Sequence, residues 1–544
     1  MRGWPTTDWS VGCTRPDTEG SSREETQEAQ GGGAGNPKSE GRNPCSSAAT
    51  TLWAVLLCGW AAAGFCGPPA PGEPLVVAQI PRGAGGGGAG DGSGAERRAR
   101  SDAPYRGAWD RLDLRYCAGS RVVVAGAPPG AAKVRVLSEG LYAAGGPVVS
   151  LDGERVYFTG KTGAESEWQV YEARVGGGRR RPVTSMPGGA AAPALLPDGS
   201  LVFASPVPRL GYQGAEVPPP QVYAQLPGAK ARQLTFGFSG AADPTVLADG
   251  RVLFVSATSR GPAGSSGGTS LFTINNDGTE VTAFACQHDP PALIGRPRQL
   301  LDGRVAFLAS DLRSAAVEGS AECVRMARPF LSRAKLLPGL GARVRSVCAD
   351  GESGLLVCAE NSRSAWAVYR VGGREEKLGA PLFEEAGWDC VEAVAARAGQ
   401  RPMGRLSSTD PAKKTGQILC MNANDTTYNA GNQAGAAAVR IRVLAEVMPG
   451  RCRSLGEVPV QEDGSFMAEV PADMALGFEA LGPQGQVLRR VEPIVWVRPG
   501  ENRSCTGCHA AHNRAPHNHR PLAVYAPVPW LRAEAEPSQA KGAQ

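Results

Sequence analysis

The sequence predicts an all-β protein in which a six-bladed β-propeller is followed by a β-sandwich-like domain and a short C-terminal segment. Three observations predict this architecture. Glycine and proline are abundant, at 72 and 44 of 544 residues, which suits many short strands joined by tight turns. A motif recurs between residues 145 and 355 at the length of a propeller blade. The recurrence then stops, and a different strand pattern begins near residue 416.

Each copy of the repeat has a proline, four residues, Asp-Gly, one residue and an apolar run with an aromatic residue. The aspartates of the five copies, the last of them degenerate, are Asp152, Asp198, Asp249, Asp302 and Asp350. Their spacings of 46, 51, 53 and 48 residues match a four-stranded blade. Because Asp-Gly forms the tight turn of a hairpin, with a positive φ at glycine, we expect these aspartates to form turns rather than to do chemistry.

A sixth blade is predicted from residues 75–140, since five blades follow from the repeat. The isolated strand at 74–80 is expected to close the ring by pairing with the last blade, which removes a free edge. The predicted propeller spans 111–415, after a linker with one strand at 67–110.

Residues 416–500 predict a β-rich middle domain. Residues 439–444 alternate between apolar and charged side chains, Asp463-Gly464 marks a turn, and 467–470, 476–480 and 494–497 are further strands. Only 44 residues, 501–544, follow, which is too short for a separate core. We therefore expect this segment to pack against its neighbour.

The N-terminal part predicts export. Residues 1–48 form a polar extension expected to be disordered, and residues 49–66 are the only long apolar run, typical of a signal peptide with cleavage after Ala63. An uncleaved anchor, or lipidation at Cys58 or Cys66, is the alternative and would be the only membrane attachment. The expected location is the periplasm or outer cell envelope. The net charge of +5, without a basic block, gives no indication of nucleic-acid binding.

Eight cysteines lie between the apolar run and the C-terminal segment, an even number that an oxidising compartment would allow to pair. Cys348 and Cys358 are candidates to face each other across a hairpin. Buried free thiols are an equally good interpretation.

The C-terminal segment contains Cys505-Thr-Gly-Cys508-His509, the spacing of covalent c-type haem attachment. Two thiols can add to the two vinyl groups while the next histidine supplies an axial nitrogen, so one haem c with His509 as proximal iron ligand is predicted. A zinc site using both cysteines and two later histidines is the alternative. Histidine directly after the second cysteine favours haem.

The distal ligand is predicted to be His517 or His519, because both can reach round the ring edge whereas His512 lies on the same side as His509. Met448, Met467 and Met474 are alternatives from the middle domain. A histidine pair would give low-spin iron suited to electron transfer, and an open position would permit chemistry on a small molecule. Arg503, Arg514 and Arg520 are candidates to pair with the propionates, although solvated charges are the default.

The stretches Glu462–Phe466, Val470–Asp473, Phe478–Gly485 and Pro499–His509 resemble the hydrazine synthase alpha subunit family. The resemblance implies a propeller, a β-rich middle domain and a c-type haem region, with Cys505 and Cys508 as thioether cysteines and His509 as the proximal ligand. It also implies partner subunits. This chain has one Cys-x-x-Cys-His, whereas the family's hydrazine synthase subunit has two haems.

Three functions are therefore considered. The first is an exported monohaem cytochrome-like protein that exchanges electrons with a redox partner. The second is a haem enzyme acting on small nitrogen compounds, and the third is a propeller interaction scaffold. The catalytic residues and any substrate stay unassigned.

Overall fold

The computed structural model describes residues 73–82, 115–126, 134–206, 219–237, 239–257, 268–287, 289, 292–311, 318–351, 354–372, 377–427, 436–448, 451–508, 515 and 518–532. These residues are nearly all β. No helix among them is long and apolar enough to cross a membrane. The apolar run at 49–66 and the extension at 1–48 lie outside the described residues.

Six antiparallel sheets form the blades of a propeller. Blade one contains β1 (Leu75–Pro81), β2 (Arg121–Ala125) and β3 (Arg135–Val136). Blade two contains β4 (Ala143–Val149), β5 (Arg155–Lys161), β6 (Gln169–Arg174) and β7 (Arg181–Pro182). Blade three contains β8 (Ala191–Leu195), β9 (Leu201–Ser205), β10 (Gln221–Gln225) and β11 (Arg232–Gln233). The predicted all-β class with a six-bladed propeller is confirmed.

Blade four contains β12 (Ala242–Val246), β13 (Val252–Ala257), β14 (Thr269–Ile274) and β15 (Thr282–Ala285). Blade five contains β16 (Leu293–Gln299), β17 (Arg304–Ser310), β18 (Ser320–Arg325) and β19 (Ala334–Lys335). Blade six has three strands, β20 (Val344–Asp350), β21 (Gly354–Glu360) and β22 (Trp366–Gly372). The last propeller strand is β23 (Trp388–Ala395).

The ring closes through β23, which returns to blade one. It pairs antiparallel with β1 from Leu75↔Ala395 to Pro81↔Trp388, so the sheet order is β23-β1-β2-β3. The expected pairing of the 74–80 strand with the end of the propeller is therefore observed, and β1 is an integral strand of a blade.

The Asp-Gly repeats are the turns between the first two strands of blades two to six. In four of them the aspartate Oδ1 accepts a hydrogen bond of 2.8–3.0 Å from the backbone N–H two residues on, in the turns of Asp152, Asp198, Asp249 and Asp302. The following glycines have φ between +73° and +84°, a region that glycine adopts without steric cost. The expected turn role is confirmed.

The linker after the propeller contacts two of these turns, which the repeat alone did not indicate. A Cβ on Gly153 would lie 2.5 Å from the backbone nitrogen of Ala398, and one on Gly250 would lie 2.3 Å from the carbonyl oxygen of Met403. The chain leaving blade one thus passes directly over the Asp-Gly turns of blades two and four.

The prolines of the repeat mark a bulge in the innermost strands of blades two to five. Register shifts occur around them in β4, β8, β12 and β16. The residues just before the prolines have positive φ: Gly146, Ala192, Asp243 and Arg296. Three of these are not glycine, so the backbone is strained beside the propeller axis.

Stacked aromatic pairs fill the space between blades. Phe203 stacks on Tyr223 at 6.1 Å and Phe254 on Phe272 at 6.0 Å between ring centroids. In blade two the stacked residue is Phe158, not the repeat's Tyr157, which lies on the other face of the strand.

The middle domain is a sandwich of two sheets. One contains β24 (Thr415–Cys420), β27 (Phe466–Pro471) and β30 (Asn502–Cys505). The other contains β25 (Arg440–Met448), β26 (Arg451–Pro459), β28 (Leu476–Leu481) and β29 (Val487–Val495). Their facing side chains form one buried core that includes Ile418, Val443 and Phe466. A 3-10 turn, Leu522–Tyr525, follows near the C-terminus.

All ten described cysteines are free thiols. Cys348 and Cys358 do not face each other, because Leu356 pairs with Cys348 and Ser346 with Cys358 in the β20–β21 register. The interpretation as free thiols holds for this pair. Burial raises the pKa of the Cys358 thiol to about 12, so this thiol is neutral at physiological pH.

Candidate haem site

The Cys-x-x-Cys-His motif begins inside the sheet of the middle domain. Strand β30 pairs parallel with β24, which places Cys505 beside Cys420. The N–H of Met421 donates to the carbonyl oxygen of Cys505 at 2.8 Å. The first cysteine is therefore fixed by backbone pairing, and Cys508 follows in a bend.

Three thiols, those of Cys420, Cys505 and Cys508, lie close together at this point. The motif contains only the last two. Cys420 is buried, while Cys505 and Cys508 are partly exposed. Burial, and then the neighbouring Cys505 and Cys508, raise the pKa of Cys420 well above its usual range. Burial raises the pKa of Cys508 to about 11, so its thiol is protonated at neutral pH.

A buried arginine lies close enough to Cys508 to act on its pKa, which it lowers against the effect of burial. Arg489 donates to the carbonyl oxygens of Ala436 at 3.2 Å and Ala423 at 3.3 Å, and to Asn424 Oδ1 at 3.2 Å. Its Nε is buried and has no hydrogen-bond partner among the described residues. A positive charge and an unused donor beside the motif suit an anionic group such as a haem propionate.

The arginines predicted to pair with propionates have other contacts. Arg503 is buried and donates to the carbonyl oxygen of Val281 in blade four. The guanidinium of Arg520 lies 4.7 Å from the ring centroid of Tyr525. Arg514 lies outside the described residues. The sequence analysis did not identify Arg489, because this residue lies in β29, an edge strand of the other sheet of the sandwich, and not in the C-terminal segment.

Of the histidines predicted to bind iron, only His519 is described; His509 and His517 lie outside the described residues, as does His512. His519 Nε2 is 3.3 Å from Asp463 Oδ2, which also accepts the N–H of Leu522 at 2.8 Å. Burial would raise the pKa of Asp463, but hydrogen bonds from Ser465, Leu522 and His519 outweigh it and hold this pKa at about 2. The Asp463-Gly464-Ser465 turn therefore anchors the chain just after the motif.

The residues before the motif are anchored to the propeller. Trp496 Nε1 donates to the carbonyl oxygen of Gly278 at 2.9 Å, and the N–H of Glu280 donates to Glu501 Oε1 at 2.9 Å. Glu501 Oε2 accepts the N–H of Arg498 at 2.7 Å. Burial raises the pKa of Glu501. Contacts on both sides of Cys505 and Cys508 thus hold the motif against a rigid support.

The chain after the motif returns to the same sheet. The N–H of Glu469 donates to the carbonyl oxygen of Pro529 at 3.0 Å, and the N–H of Leu531 donates to that of Glu469 at 2.8 Å. Leu531 completes the buried core of the sandwich. The C-terminal segment therefore packs against the middle domain, as its short length predicts.

No group of three or more metal-binding side chains was found among the described residues. Three of the four histidines near the motif lie outside them. The zinc alternative and the haem interpretation both stay predictions. The free cysteines of the motif, held at a strand end beside Arg489, fit attachment of a haem.

Residues 416–510 match the family model of the hydrazine synthase alpha subunit middle domain, a range that includes Cys505, Cys508 and His509. Among solved structures, hydrazine synthase from Kuenenia stuttgartiensis is similar, with a TM-score of 0.71 and 17% identity over 84% of this chain and 71% of that chain. TolB from Acinetobacter baumannii gives a TM-score of 0.33 and 11% identity over 56% and 65% of the two chains. A search of curated proteins gives no match.

Proposed function

We propose that this chain, a hydrazine synthase alpha subunit-like protein by its middle domain and its fold, carries one covalent haem c on Cys505, Cys508 and His509. The observation that carries the proposal is the placement of both cysteines, as free thiols, at the end of β30 within the matched domain. Bound haem would supply a one-electron centre. The chain would exchange electrons with a redox partner protein and could associate with further subunits.

The chain's own residues would position this group. The β24–β30 pairing holds Cys505, the bend at 506–508 sets the second thiol, and Arg489 offers a buried cation for a propionate. The raised pKa of Cys508 keeps its sulfur protonated until a vinyl group is added. Because haem c is attached outside the cytoplasm, the proposal includes export through the 49–66 segment.

A haem enzyme acting on small nitrogen compounds is the second candidate. The hydrogen bond between His519 and Asp463 favours it, because a ring that is held in this way is less available as a distal iron ligand. The family is named for an enzyme subunit, which also supports the candidate. An open coordination position would leave room for a substrate.

Covalent attachment is tested by expressing the full chain in a host competent for cytochrome c maturation. We expect a Soret band, a haem-stained band under denaturing conditions and a mass gain of one haem. Cys505→Ala and Cys508→Ala should each remove one thioether bond, and the double variant should lose covalent haem. Cys452→Ala, in β26, is the matched control and should retain it. Protein without covalent haem would contradict the proposal and leave a scaffold role.

The spin state separates the two candidates. Low-spin iron that does not respond to nitric oxide or hydroxylamine would support electron transfer, whereas five-coordinate iron that binds them would support catalysis. His519→Ala should leave the spectrum unchanged in the enzyme case, and His517→Ala is the comparison variant. A change to high spin in His519→Ala would show that this histidine leaves Asp463 to bind iron.

Mass mapping of the mature N-terminus tests export: a start at residue 64 is expected.

A further inference from the structure

A small charged cavity lies on the axis of the propeller, away from the candidate haem site. It is lined by the bulges of the innermost strands and by the short segment before β2. The cavity has a volume of about 20 Å³, enough for one water molecule or an ion of similar size. The charged side chains in its wall are Arg115, Asp243, Arg296, Arg298 and Glu392, and the polar ones are Tyr116 and Thr159.

The two carboxylates of the cavity already have partners. Asp243 accepts two hydrogen bonds from Arg115, at 3.0 and 2.9 Å, and one from the N–H of Arg296 at 3.0 Å. Glu392 Oε1 accepts the hydroxyl of Tyr116 at 2.8 Å and lies 3.1 Å from Arg296 Nη1. Because both carboxylates are already paired, no bound cation is needed to balance their charge.

The arginines, in contrast, are in excess. Arg298 donates to the carbonyl oxygen of Pro297 at 3.2 Å, and it forms no ion pair with any described residue. The Nε atoms of Arg115 and Arg296 are buried and have no partner in the described part of the chain. Among the described residues that line the cavity, three arginines against two carboxylates leave one positive charge. Buried donors of this kind are normally satisfied by an acceptor.

The charge of the cavity is fixed over the physiological pH range. Burial would lower the pKa of Arg115, but Asp243 outweighs it and raises the pKa above its ordinary value. Arg115 and Arg296 conversely hold the pKa of Asp243 far below its usual range, although burial opposes them. Burial, then Glu392, raises the pKa of Tyr116, which stays a neutral donor.

The backbone is strained where it forms this wall. Asp243 and Arg296 have φ of 46° and 52°, an unfavourable region for residues with a Cβ. Strain of this kind clusters at ligand sites in proteins. Together with the unpartnered donors it indicates a built site.

We infer that the propeller axis binds one small monovalent anion, of the size of chloride or nitrite, between Arg298 and the unpartnered donors of Arg115 and Arg296. The anion neutralises the excess charge and accepts the buried N–H groups. The site is independent of the haem proposal, because it lies in the propeller and uses none of the middle-domain residues.

The first test measures thermal unfolding of the full chain in sodium chloride, bromide, nitrite or formate, with ionic strength kept constant by sodium gluconate, whose anion is too large for the cavity. We expect the unfolding temperature to rise with the logarithm of the small-anion concentration, since a ligand bound only by the folded state stabilises it. An unfolding temperature that is the same in all the salts would overturn the inference.

The second test uses Arg298→Gln, which keeps the size of the side chain but removes its charge. Chloride affinity should fall about 10- to 100-fold, the effect of losing a hydrogen bond to a charged group. Arg304→Gln is the control, because Arg304 is partly exposed and already paired with Asp302. An equal chloride response in both variants would contradict the site.

A crystal of the wild-type chain grown in bromide provides a test that needs no variant. An anomalous peak within hydrogen-bond distance of the Arg298 guanidinium is expected. A cavity without a peak, or with a peak only at the protein surface, would refute the assignment.

Discussion

The propeller axis and the end of the middle domain both bury arginines, but they treat the charge differently. At the axis, Asp243 and Glu392 pair with Arg115 and Arg296 within hydrogen-bond distance. Beside the haem motif, Arg489 is held only by carbonyl and amide oxygens and has no carboxylate partner among the described residues. The comparison shows that the propeller axis pairs its buried arginines Arg115 and Arg296 with carboxylates, whereas the middle domain buries Arg489 without a carboxylate partner among the described residues.

Removing a carboxylate from the axis should have the largest effect on stability. It leaves a buried arginine without a counter-charge, which is the situation of Arg489 in the middle domain. Asp243→Asn keeps the side-chain shape and tolerates the positive φ, but it leaves Arg115 buried without a counter-charge. We expect a loss of about 3–5 kcal/mol in the free energy of unfolding in urea. Asp249→Asn, in a partly exposed turn, is the control. A loss below about 1 kcal/mol, the scale of an exposed pair, would show that the axis is solvated.

The linker that joins the two regions gives the next largest effect. Gly250→Ala and Gly303→Ala both place a Cβ at a φ near +80°, but only Gly250 faces the linker, 2.3 Å from the carbonyl oxygen of Met403. We expect about 1–2 kcal/mol from the φ strain in both, and roughly another 1–3 kcal/mol for Gly250→Ala from the clash. Unfolding measurements on the two variants give the difference. Equal losses would mean that the linker does not pack on the turn.

The Asp-Gly turn of the middle domain should contribute stability that depends on pH. The pKa of Asp463 is held at about 2, below its unfolded value near 3.9, so its contribution is present above about pH 4 and is lost as pH falls toward 2. Asp463→Asn should cost roughly 1–2 kcal/mol at pH 6 and less at pH 3. Unfolding in urea at both pH values measures this.

The control for that measurement is Asp198→Asn, a propeller turn with the same backbone hydrogen bond at 2.8 Å. A similar variation in both variants would show that the contacts with His519 and Leu522 are not what distinguishes Asp463.

The smallest effect is expected at the propeller surface. Arg304 forms an ion pair of 2.6 Å with Asp302, but about a third of each side chain is exposed. Arg304→Gln should therefore change the free energy of unfolding by less than about 1 kcal/mol, as exposed pairs contribute little. A larger loss in low-salt unfolding experiments would place this pair with the buried ones at the axis.

The repeat made the propeller predictable, since Asp-Gly turns and apolar strands are local signals that recur at a fixed spacing. The bulges at Asp243 and Arg296 were not predictable, because proline marks them but a positive φ at such residues has no local signature. The ion pair between Glu392 of β23 and Arg296 of β16 depends on ring closure, which the repeat does not specify.

The candidate site could be predicted only where its residues are close in sequence. Cys505, Cys508 and His509 follow from spacing, but Cys420 reaches them through a parallel pairing of β24 with β30. Arg489 comes from a third strand. The expected roles of Arg503 and Arg520 stay predictions, because nearness in the sequence does not show which side chain faces the motif; Arg503 bridges to the propeller and has two further buried donors without a partner among the described residues.

The closure of blade one by β23 affects how the molecule is made. Arg82 Nε donates to Asp389 Oδ1 at 3.2 Å across 307 residues of chain, so β1, which pairs with β2 on one side, obtains its partner on the other side only when the ribosome has delivered residue 395. Blades two to six are synthesised before β23, so β1 lacks this pairing until the end of the propeller has been made. Such distant pairing makes the last step of folding slow. A nascent chain cut before Trp388 would expose β1 as an unprotected edge, which chaperones would have to cover.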